Sequence, residues 1–401
     1  MKNYLDVLRT RGVARLLASQ LTARFPAGML SLAILIHIEQ LYRSYTAAGV
    51  VLAALSIGQA VSGPVAGRLM GRLGMRPVLT LATILTAADL LVLALVPLPL
   101  WAVSIVAGFA GLVIPPITPA VRTIYPKVVN SAQLQPLFSL DASLQEIIWV
   151  VGPVAATFVA FAFSPPAGIV LCSIILTLGA AWFITAPAVG SVRIPPSRHR
   201  LGRVLRIRIV LLMTALGFLL IGSAAAVEAA TVALFGHERP ETGILLAVYS
   251  VGSFVGGFAL GHRSLTPVRL VLRMGIVAAG LVMALFAQEA WWLGVSYFVS
   301  GLGIAPTLSG SFAAVSSQLR FSETAESYGW MGTGQLIGAA AGSAAAGVAI
   351  DLHGGVGALW VGAGLGVLGV LLLALFLRAI PDLRGRDARP RTDTIPLTLP
   401  S

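Results

Sequence analysis

Four ionisable residues lie inside long apolar stretches of the sequence: Arg24, Asp89, Glu146 and Glu228. A charge placed in hydrocarbon costs roughly 2.5–3.5 kcal/mol on insertion scales, so such residues are candidates for function. Glu228, in GSAAAVEAATVALFG, has small neighbours that leave room for water or a substrate. A carboxyl there could carry a proton or bind a cationic substrate, and the alternative is a hydrogen-bonded structural carboxyl.

No enzyme signature accompanies these charges. The sequence has no Walker-type loop, no HExxH pair and no nucleophile elbow. GTGQLIG (332–338) has the wrong spacing for a dinucleotide-binding loop and follows no strand, and the five histidines show no ligand spacing. The single cysteine, Cys172, excludes an internal disulfide. We therefore predict a non-enzyme without cofactor or metal site.

The composition indicates that lipid is the solvent of these residues. The 401-residue chain is 57% hydrophobic and 10% charged, with a mean hydropathy of +0.91, whereas soluble domains carry about 25% charged residues. A membrane helix needs about 20 apolar residues. Windows of that length predict an all-α, multi-pass membrane protein with twelve transmembrane helices, at 15–37, 46–67, 77–97, 101–123, 136–163, 167–187, 208–235, 242–261, 267–287, 291–315, 325–350 and 354–378.

The basic residues orient these spans. Outside Arg24 and Arg122, which lie within spans, only Arg43 and Arg239 fall on the side opposite both chain termini. The positive-inside rule therefore predicts cytoplasmic N and C termini. The net charge of +12 is then a consequence of membrane topology, and we predict no nucleic-acid partner. The excess of arginine over lysine is typical of GC-rich bacteria, which favours a bacterial cytoplasmic (inner) membrane.

An internal repeat divides the chain. GVVLAALSIGQAVSGPVAG (49–67) matches GILLAVYSVGSFVGGFALG (243–261) at an offset of 194, and QEIIWVVGPVAA (145–156) matches QLIGAAAGSAAA (335–346) at an offset of 190. We predict two homologous six-helix bundles, 1–187 and 208–380, joined by a cytoplasmic linker at 188–207. The polar segment 381–401 is predicted to be a disordered cytoplasmic tail.

Glycines recur at four-residue spacing in equivalent spans of the two halves. Such stripes let helices approach closely where no hydrophobic force joins them. Parallel repeats also place a binding site between the halves, near the membrane midplane. We predict that the stripes form the faces that slide against each other: Gly63, Gly67 and Gly71 in span 2, Gly257 and Gly261 in span 8, and Gly334, Gly338 and Gly342 in span 11.

The connection between spans 2 and 3, GRLMGRLGMRP, resembles the signature loop of the major facilitator superfamily. Gly67, Arg72, Gly74 and Arg76 fit the pattern, and Gly71 stands where the family usually has aspartate. In the family this loop holds the two halves together on the cytoplasmic side through charge pairs. With glycine at position 71, the acid of that charge pair is missing from the loop in this sequence.

Two further stretches strengthen the resemblance. DASLQEIIWVVGPVAA in span 5 resembles the Gly-Pro motif of proton-driven efflux members through Gly152 and Pro153, although alanines replace its paired glycines. ETAESYGWMGTGQLIGAAAGSAAAG (323–347), which contains Gly338 and Gly342, resembles span 11 of bacterial, especially actinobacterial, efflux-type members. These motifs imply interfaces at helices 5 and 11 and an export direction.

The family layout also implies roles for the charged residues. Spans 4 and 7 line the central cavity in the family, so Glu228 is the expected proton-coupling or substrate residue, and Arg122 contacts substrate, latches the halves or anchors at the interface. Spans 1 and 5 are neighbours, which makes an Arg24–Glu146 charge pair plausible. Asp89 lies on a peripheral helix. Asp141, like Arg122, is expected near a helix end, where snorkelling lowers its cost.

The function predicted from these observations is secondary active transport by alternating access. The leading form is proton-coupled efflux of a small, partly apolar molecule by a monomer in the lipid bilayer. Proton-coupled uptake of a sugar or organic acid is the alternative, and a non-transporting membrane sensor on the same fold is an alternative from a different class.

Overall fold

The computed structural model describes residues 2–196, 200–236, 240–391 and 393, and it is helical apart from loops and one isolated bridge between Arg320 and Arg391. His199, His237 and Arg239 lie outside the described residues. The helices of the first half are α1 (Lys2–Arg9), α2 (Val13–Arg24), α3 (Pro26–Tyr42), α4 (Tyr45–Leu73), α5 (Met75–Leu95), α6 (Leu100–Val113), α7 (Ile117–Val128), α8 (Ser131–Ala162), α9 (Pro165–Ile184) and α10 (Pro187–Ser191).

The second half follows a linker with a 3₁₀ turn at Arg203–Arg206. Its helices are α11 (Arg208–Phe235), α12 (Pro240–Leu260), α13 (Pro267–Met283), α14 (Ala290–Gln318), α15 (Phe321–His353) and α16 (Gly355–Leu375), followed by a 3₁₀ turn at Leu377–Ala379.

Eleven helical segments within the described ranges are long and apolar enough to cross a membrane. Two of these segments each combine two helices, α2 with α3 and α6 with α7. Pro115 and Pro116 lie between α6 and α7 and break the helix there, because proline has no backbone N–H to donate and its φ is fixed. The all-helical membrane class is therefore confirmed. The remaining predicted span coincides with α13, which has 17 residues; the count of twelve stays a prediction.

The same helix pairings recur in both halves. In the first half α3 packs on α8, α4 on α6, and α5 on α9; in the second half α11 packs on α15, α12 on α14, and α13 on α16. These pairs correspond to one another under the offset found in the sequence. The repeated segments thus adopt a repeated packing scheme.

Among the described residues, the main contacts between the halves lie near one end of the bundle. α4 packs on α15, and α8 packs on α12 and α14. Residues 119–126 and 303–316, at the end where the halves meet, are buried throughout, whereas α15 is largely exposed from Ala341 to His353. From this difference in burial we infer an opening between the halves that is closed at one end and open at the other.

The closed end carries α1, the described carboxy-terminal segment up to Arg391 and most of the arginines outside the helices, and we refer to it as the basic end. Here α1 lies across the junction of the halves: the hydroxyl of Tyr4 donates to the carbonyl oxygens of Gly257 (2.9 Å) and Phe258 (3.2 Å) in the opposite half. The amino-terminal helix thus adds to the closure.

The carboxy-terminal segment was predicted to be disordered, but its described part is hydrogen-bonded to the rest of the protein. The backbone N–H of Leu383 donates to Leu265, that of Ala388 to the Ser131 hydroxyl, and that of Arg391 to Leu319. Ser131 belongs to the first half, so the segment spans both halves. Leu383 and Ala388 are buried, which gives this polar stretch a small apolar contact; residues 392 and 394–401 lie outside the described residues.

Candidate functional site

Close backbone contacts join α4 and α15 across the two halves. A Cβ on Gly63 would lie 3.0 Å from the carbonyl oxygen of Gly329, and one on Gly67 would lie 2.6 Å from that of Ala325. Backbone atoms cannot rotate aside as a side chain can. Glycine is therefore required for this approach, as at membrane helix contacts that rely on small residues.

The second contact, between α8 and α12, is the counterpart of the first under the internal repeat. Gly257 of α12 faces Ser143 of α8, and Gly261, which directly follows α12, faces Ser139. The Ser139 hydroxyl donates to the Gly257 carbonyl oxygen at 2.6 Å. Gly63 and Gly67 of the span 2 stripe and both glycines of the span 8 stripe thus lie between the halves, whereas Gly71 faces the linker. All of these contacts belong to the basic end.

A buried ionic cluster lies within the first half, beside the base of the opening. Asp141 on α8 is fully buried and pairs with two arginines: Oδ1 is 3.1 Å from Arg24 Nη1 and Oδ2 is 3.2 Å from Arg122 Nε. Gln20 donates to Asp141 Oδ1 at 2.9 Å, and Arg24 Nη2 donates to the side-chain oxygen of Gln145. The Arg122 guanidinium also stacks on a ring from the other half, 3.5 Å from the Phe312 centroid.

Helical spacing positions this cluster. Gln20 and Arg24 lie one turn apart on α2, and Asp141 and Gln145 lie one turn apart on α8, so each pair shares a helical face. The expected Arg24–Glu146 pair is not what forms, because Glu146 lies one residue off that face. The prediction that Arg122 and Asp141 snorkel is also wrong, since both side chains are buried.

The remaining predicted residues lie apart from the cluster. Glu146 faces the other half, where it accepts a hydrogen bond from the Ser253 hydroxyl at 2.8 Å. Glu228 is exposed on α11 and makes no hydrogen bond to another described residue. Asp89 is partly buried on α5, whose main contacts are with other helices of the first half. In the described ranges, no group of three or more His, Cys, Asp or Glu residues could hold a metal ion.

Comparison with known proteins agrees with this architecture. The family model of the Major Facilitator Superfamily matches residues 16–237 and 209–399. The chain belongs to the major facilitator superfamily. No curated protein matches the sequence.

Solved structures of the superfamily share the fold at low sequence identity. A bacterial homologue of the iron transporter ferroportin in an outward-facing state is 14% identical, with a TM-score of 0.72 over 91% of this chain and 99% of that chain. The proton:xylose symporter XylE is also 14% identical, with a TM-score of 0.68 over 96% and 98%. The human organic anion transporter MFSD10 is 16% identical, with a TM-score of 0.64 over 92% and 99%.

The signature loop of the superfamily has a rearranged ion pair in this chain. Gly71 packs near Pro195 of the linker, Arg76 lies against Gly190, and Arg72 and Gly74 are exposed. The acid comes from the other half: Glu326 Oε2 on α15 is 3.5 Å from Arg68 Nη1, and Glu326 Oε1 accepts from the backbone N–H of Gly202 at 2.7 Å.

Glu326 therefore supplies the charge that position 71 lacks. It is 2% exposed, and it connects α4, the linker and α15. Sequence analysis did not single it out, although ETAES was within the stretch that resembled the family. A carboxylate in the first turn of span 11, placed opposite the span 2–3 loop, is the signal that could have identified it.

The glycines predicted to form interfaces in spans 5 and 11, Gly152, Gly338 and Gly342, do not lie between the halves. Gly338 packs on Phe218 and Gly342 on Gly222, both in α11, and Gly334 also faces α11. Gly152, which precedes Pro153, packs on Gly28 of α3. This corrects the predicted placement. The physical reason is that the halves diverge toward the open end, so these glycines meet helices of their own half.

Proposed function

We propose that this chain is a secondary active transporter that exports a small, partly apolar molecule by proton-coupled alternating access across a bacterial cytoplasmic membrane. The observation that carries the proposal is the opening between two repeated halves, closed at one end by glycine contacts and open at the other. Members of this superfamily are generally carriers rather than enzymes. With the basic end in the cytoplasm, as the positive-inside rule predicts, the open end faces outward.

Closure at the basic end rests on contacts that can be broken without unfolding either half. Arg68–Glu326, the Tyr4 hydroxyl bonds and the glycine contacts all join one half to the other. The pairings of α3 with α8 and of α11 with α15 lie within a half. Separation of the halves at this end would expose the base of the opening to the cytoplasm while leaving both packing schemes intact.

Glu228 is the proposed proton carrier. It is exposed on α11 of the second half, and its carboxylate has no hydrogen-bonding partner among the described residues. A protonatable group that is accessible from the opening can exchange protons with whichever side is open. Glu146, which is bonded to Ser253 across the halves, is the second candidate, because its protonation would alter a contact between the halves.

A proton can supply the required free energy. A potential of 100 mV provides about 2.3 kcal/mol per charge, and about 1.4 kcal/mol corresponds to a tenfold concentration ratio. One proton therefore sustains a gradient of roughly fiftyfold without nucleotide.

The test is proton movement in everted membrane vesicles from cells that overproduce the protein. Candidate substrates come from a panel of growth inhibitors compared between cells with and without it. Addition of a substrate should release protons from acidified vesicles, and Glu228→Gln should abolish that release. Retention of wild-type pH dependence by Glu228→Gln would rule out the assignment of Glu228.

The direction of transport is decided by the same assay. XylE is a proton:xylose symporter by its name, so coupled uptake also runs on this fold. If substrate and protons move in the same direction in the vesicles, uptake replaces export. If no compound on the panel moves protons through the protein, the transport proposal fails.

A further inference from the structure

Arg24 and Arg122 share a single carboxylate. Among the described residues, Asp141 is the only acidic side chain within 4.0 Å of either guanidinium. The side chains of Arg24 and Arg122 are 10% and 6% exposed, so the cluster holds two buried cations against one buried anion. A buried charge without a partner is costly. The cluster is therefore one negative charge short.

Within the described ranges, the terminal donors without a partner are on Arg122, because both terminal nitrogens of Arg24 already donate hydrogen bonds, to Gln20, Asp141 and Gln145. Arg122 makes one hydrogen bond to described residues, from Nε to Asp141, and its two terminal amino groups make none. Beneath its guanidinium lies the face of the Phe312 ring. The ring is 1% exposed, so it holds the guanidinium in place from the other half.

The cluster is reached from the open end. Arg24 is partly exposed, and Ala27 and Ser31, which follow it on the same face of the first span, are exposed. This face leads from the cluster toward the open end, and its small side chains leave space beside α8. Gln20 and Asp141 close the other side of Arg24, where both are buried.

We propose that Arg24 and Arg122 bind the carboxylate of a small, partly apolar organic anion at the base of the opening. The inference rests on the proposed transport function and names its substrate class. A monocarboxylate matches the net charge of +1 on the cluster, and guanidinium groups bind carboxylates through paired hydrogen bonds. Phe312, which stacks on Arg122, belongs to the other half, so the bound anion lies at the junction of the two halves.

The test is equilibrium binding to the purified full-length protein in detergent, with radiolabelled benzoate as the probe. Benzamide, which has the same shape without the charge, is the competitor. We expect saturable binding of labelled benzoate. Unlabelled benzamide should compete for it with an affinity at least tenfold lower than that of unlabelled benzoate. Arg24→Gln should weaken benzoate binding at least tenfold, and Arg24→Lys should weaken it less because the charge remains.

Arg43→Gln is the matched control, since Arg43 is exposed beyond the open end of the first span and its loss changes the net charge equally. Arg24→Gln leaves Arg122 and Asp141 as a one-to-one pair, so its melting temperature should stay within a few degrees of wild type. Equal affinity for benzoate and benzamide, or equal losses in Arg24→Gln and Arg43→Gln, would overturn the inference.

Failure of the anion site and failure of transport give different results. If a neutral or cationic compound drives Glu228-dependent proton movement and benzoate does not bind, transport stands and the anion site is wrong. If benzoate binds through Arg24 and no compound moves protons, the site stands and the transport proposal is wrong.

Discussion

Replacing Gly67 with alanine should open the basic end. The new Cβ would lie 2.6 Å from the Ala325 carbonyl oxygen and 2.8 Å from its carbon, whereas ordinary contact begins near 3.4 Å. Both atoms are backbone, so relief requires α4 and α15 to separate. Overpacking of this kind costs about 1–3 kcal/mol, which corresponds to a shift of roughly fivefold to over a hundredfold toward the state open at the basic end.

The readout is the reaction rate of a cysteine placed at Thr123, with Cys172 replaced by alanine. Thr123 is fully buried and lies 3.4 Å from Thr324 of the other half, measured between the hydroxyl oxygens. The labelling rate should rise with the open population. Gly347→Ala on α15 is the control, because a Cβ there meets no atom within 4 Å. Equal labelling rates in Gly67→Ala and its parent, or an equal rise in Gly347→Ala, would refute the reasoning.

Three further predictions follow from the charges. Asp141→Asn leaves two buried arginines without a carboxylate and should lower the free energy of unfolding by about 3–5 kcal/mol, seen as a lower melting temperature than in Arg24→Gln; an equal loss in the two variants would contradict this. Glu326→Gln removes the negative charge that pairs with Arg68 and should speed Thr123→Cys labelling by a factor that reflects about 1.5–3 kcal/mol, whereas an unchanged rate would show that the pair does not hold the closed state. In the carboxy-terminal segment, hydrogen bonds from Arg384 and Arg389 lower the pKa of Asp382 and Asp387, each to about 2. The stabilising effect of these two ionised carboxylates is present above pH 4 and is lost only as the pH falls through about 2. Hydrogen exchange over 382–389, corrected for intrinsic rates, should therefore be equal at pH 5 and pH 8.

The hydrophobic pattern predicted most of the helices because lipid imposes a simple rule on sequence. Runs of about 20 apolar residues must be helical to satisfy their backbone groups. The internal repeat likewise predicted equivalent pairings, such as α4 with α6 and α12 with α14. The break between α6 and α7 was missed, although Pro115 and Pro116 mark it in the sequence.

The ionic cluster was missed because its members depend on where helices begin. Span 5 was predicted to start at 136, which placed Asp141 near its end; α8 begins at Ser131, and Asp141 lies more than two turns inside. Similarly, α15 begins at Phe321 rather than at 325, which brings Glu326 into its first two turns, opposite Arg68. Helix starts depend on caps such as Asn130, which hydropathy does not register.

The contacts made by the segments near the two chain ends could not be predicted from amino-acid composition. The segment after Ile380 is polar, so its composition favours disorder. Its binding to Ser131 and Leu319 joins residues that are far apart in the sequence. Such contacts follow from the closed basic end, which brings connections of both halves together. The same holds for Tyr4 and the carbonyl groups of α12.

The central claim, that two rigid halves exchange which end is open, is tested most directly by distances between spin labels at both ends. One pair replaces Leu73 and Arg263 at the basic end, and the other replaces Trp101 and Trp291 at the opposite end; all four positions are exposed. On introducing Gly67→Ala, the Leu73–Arg263 distance should lengthen while the Trp101–Trp291 distance shortens. Lengthening at both ends, or movement at only one, would contradict the account.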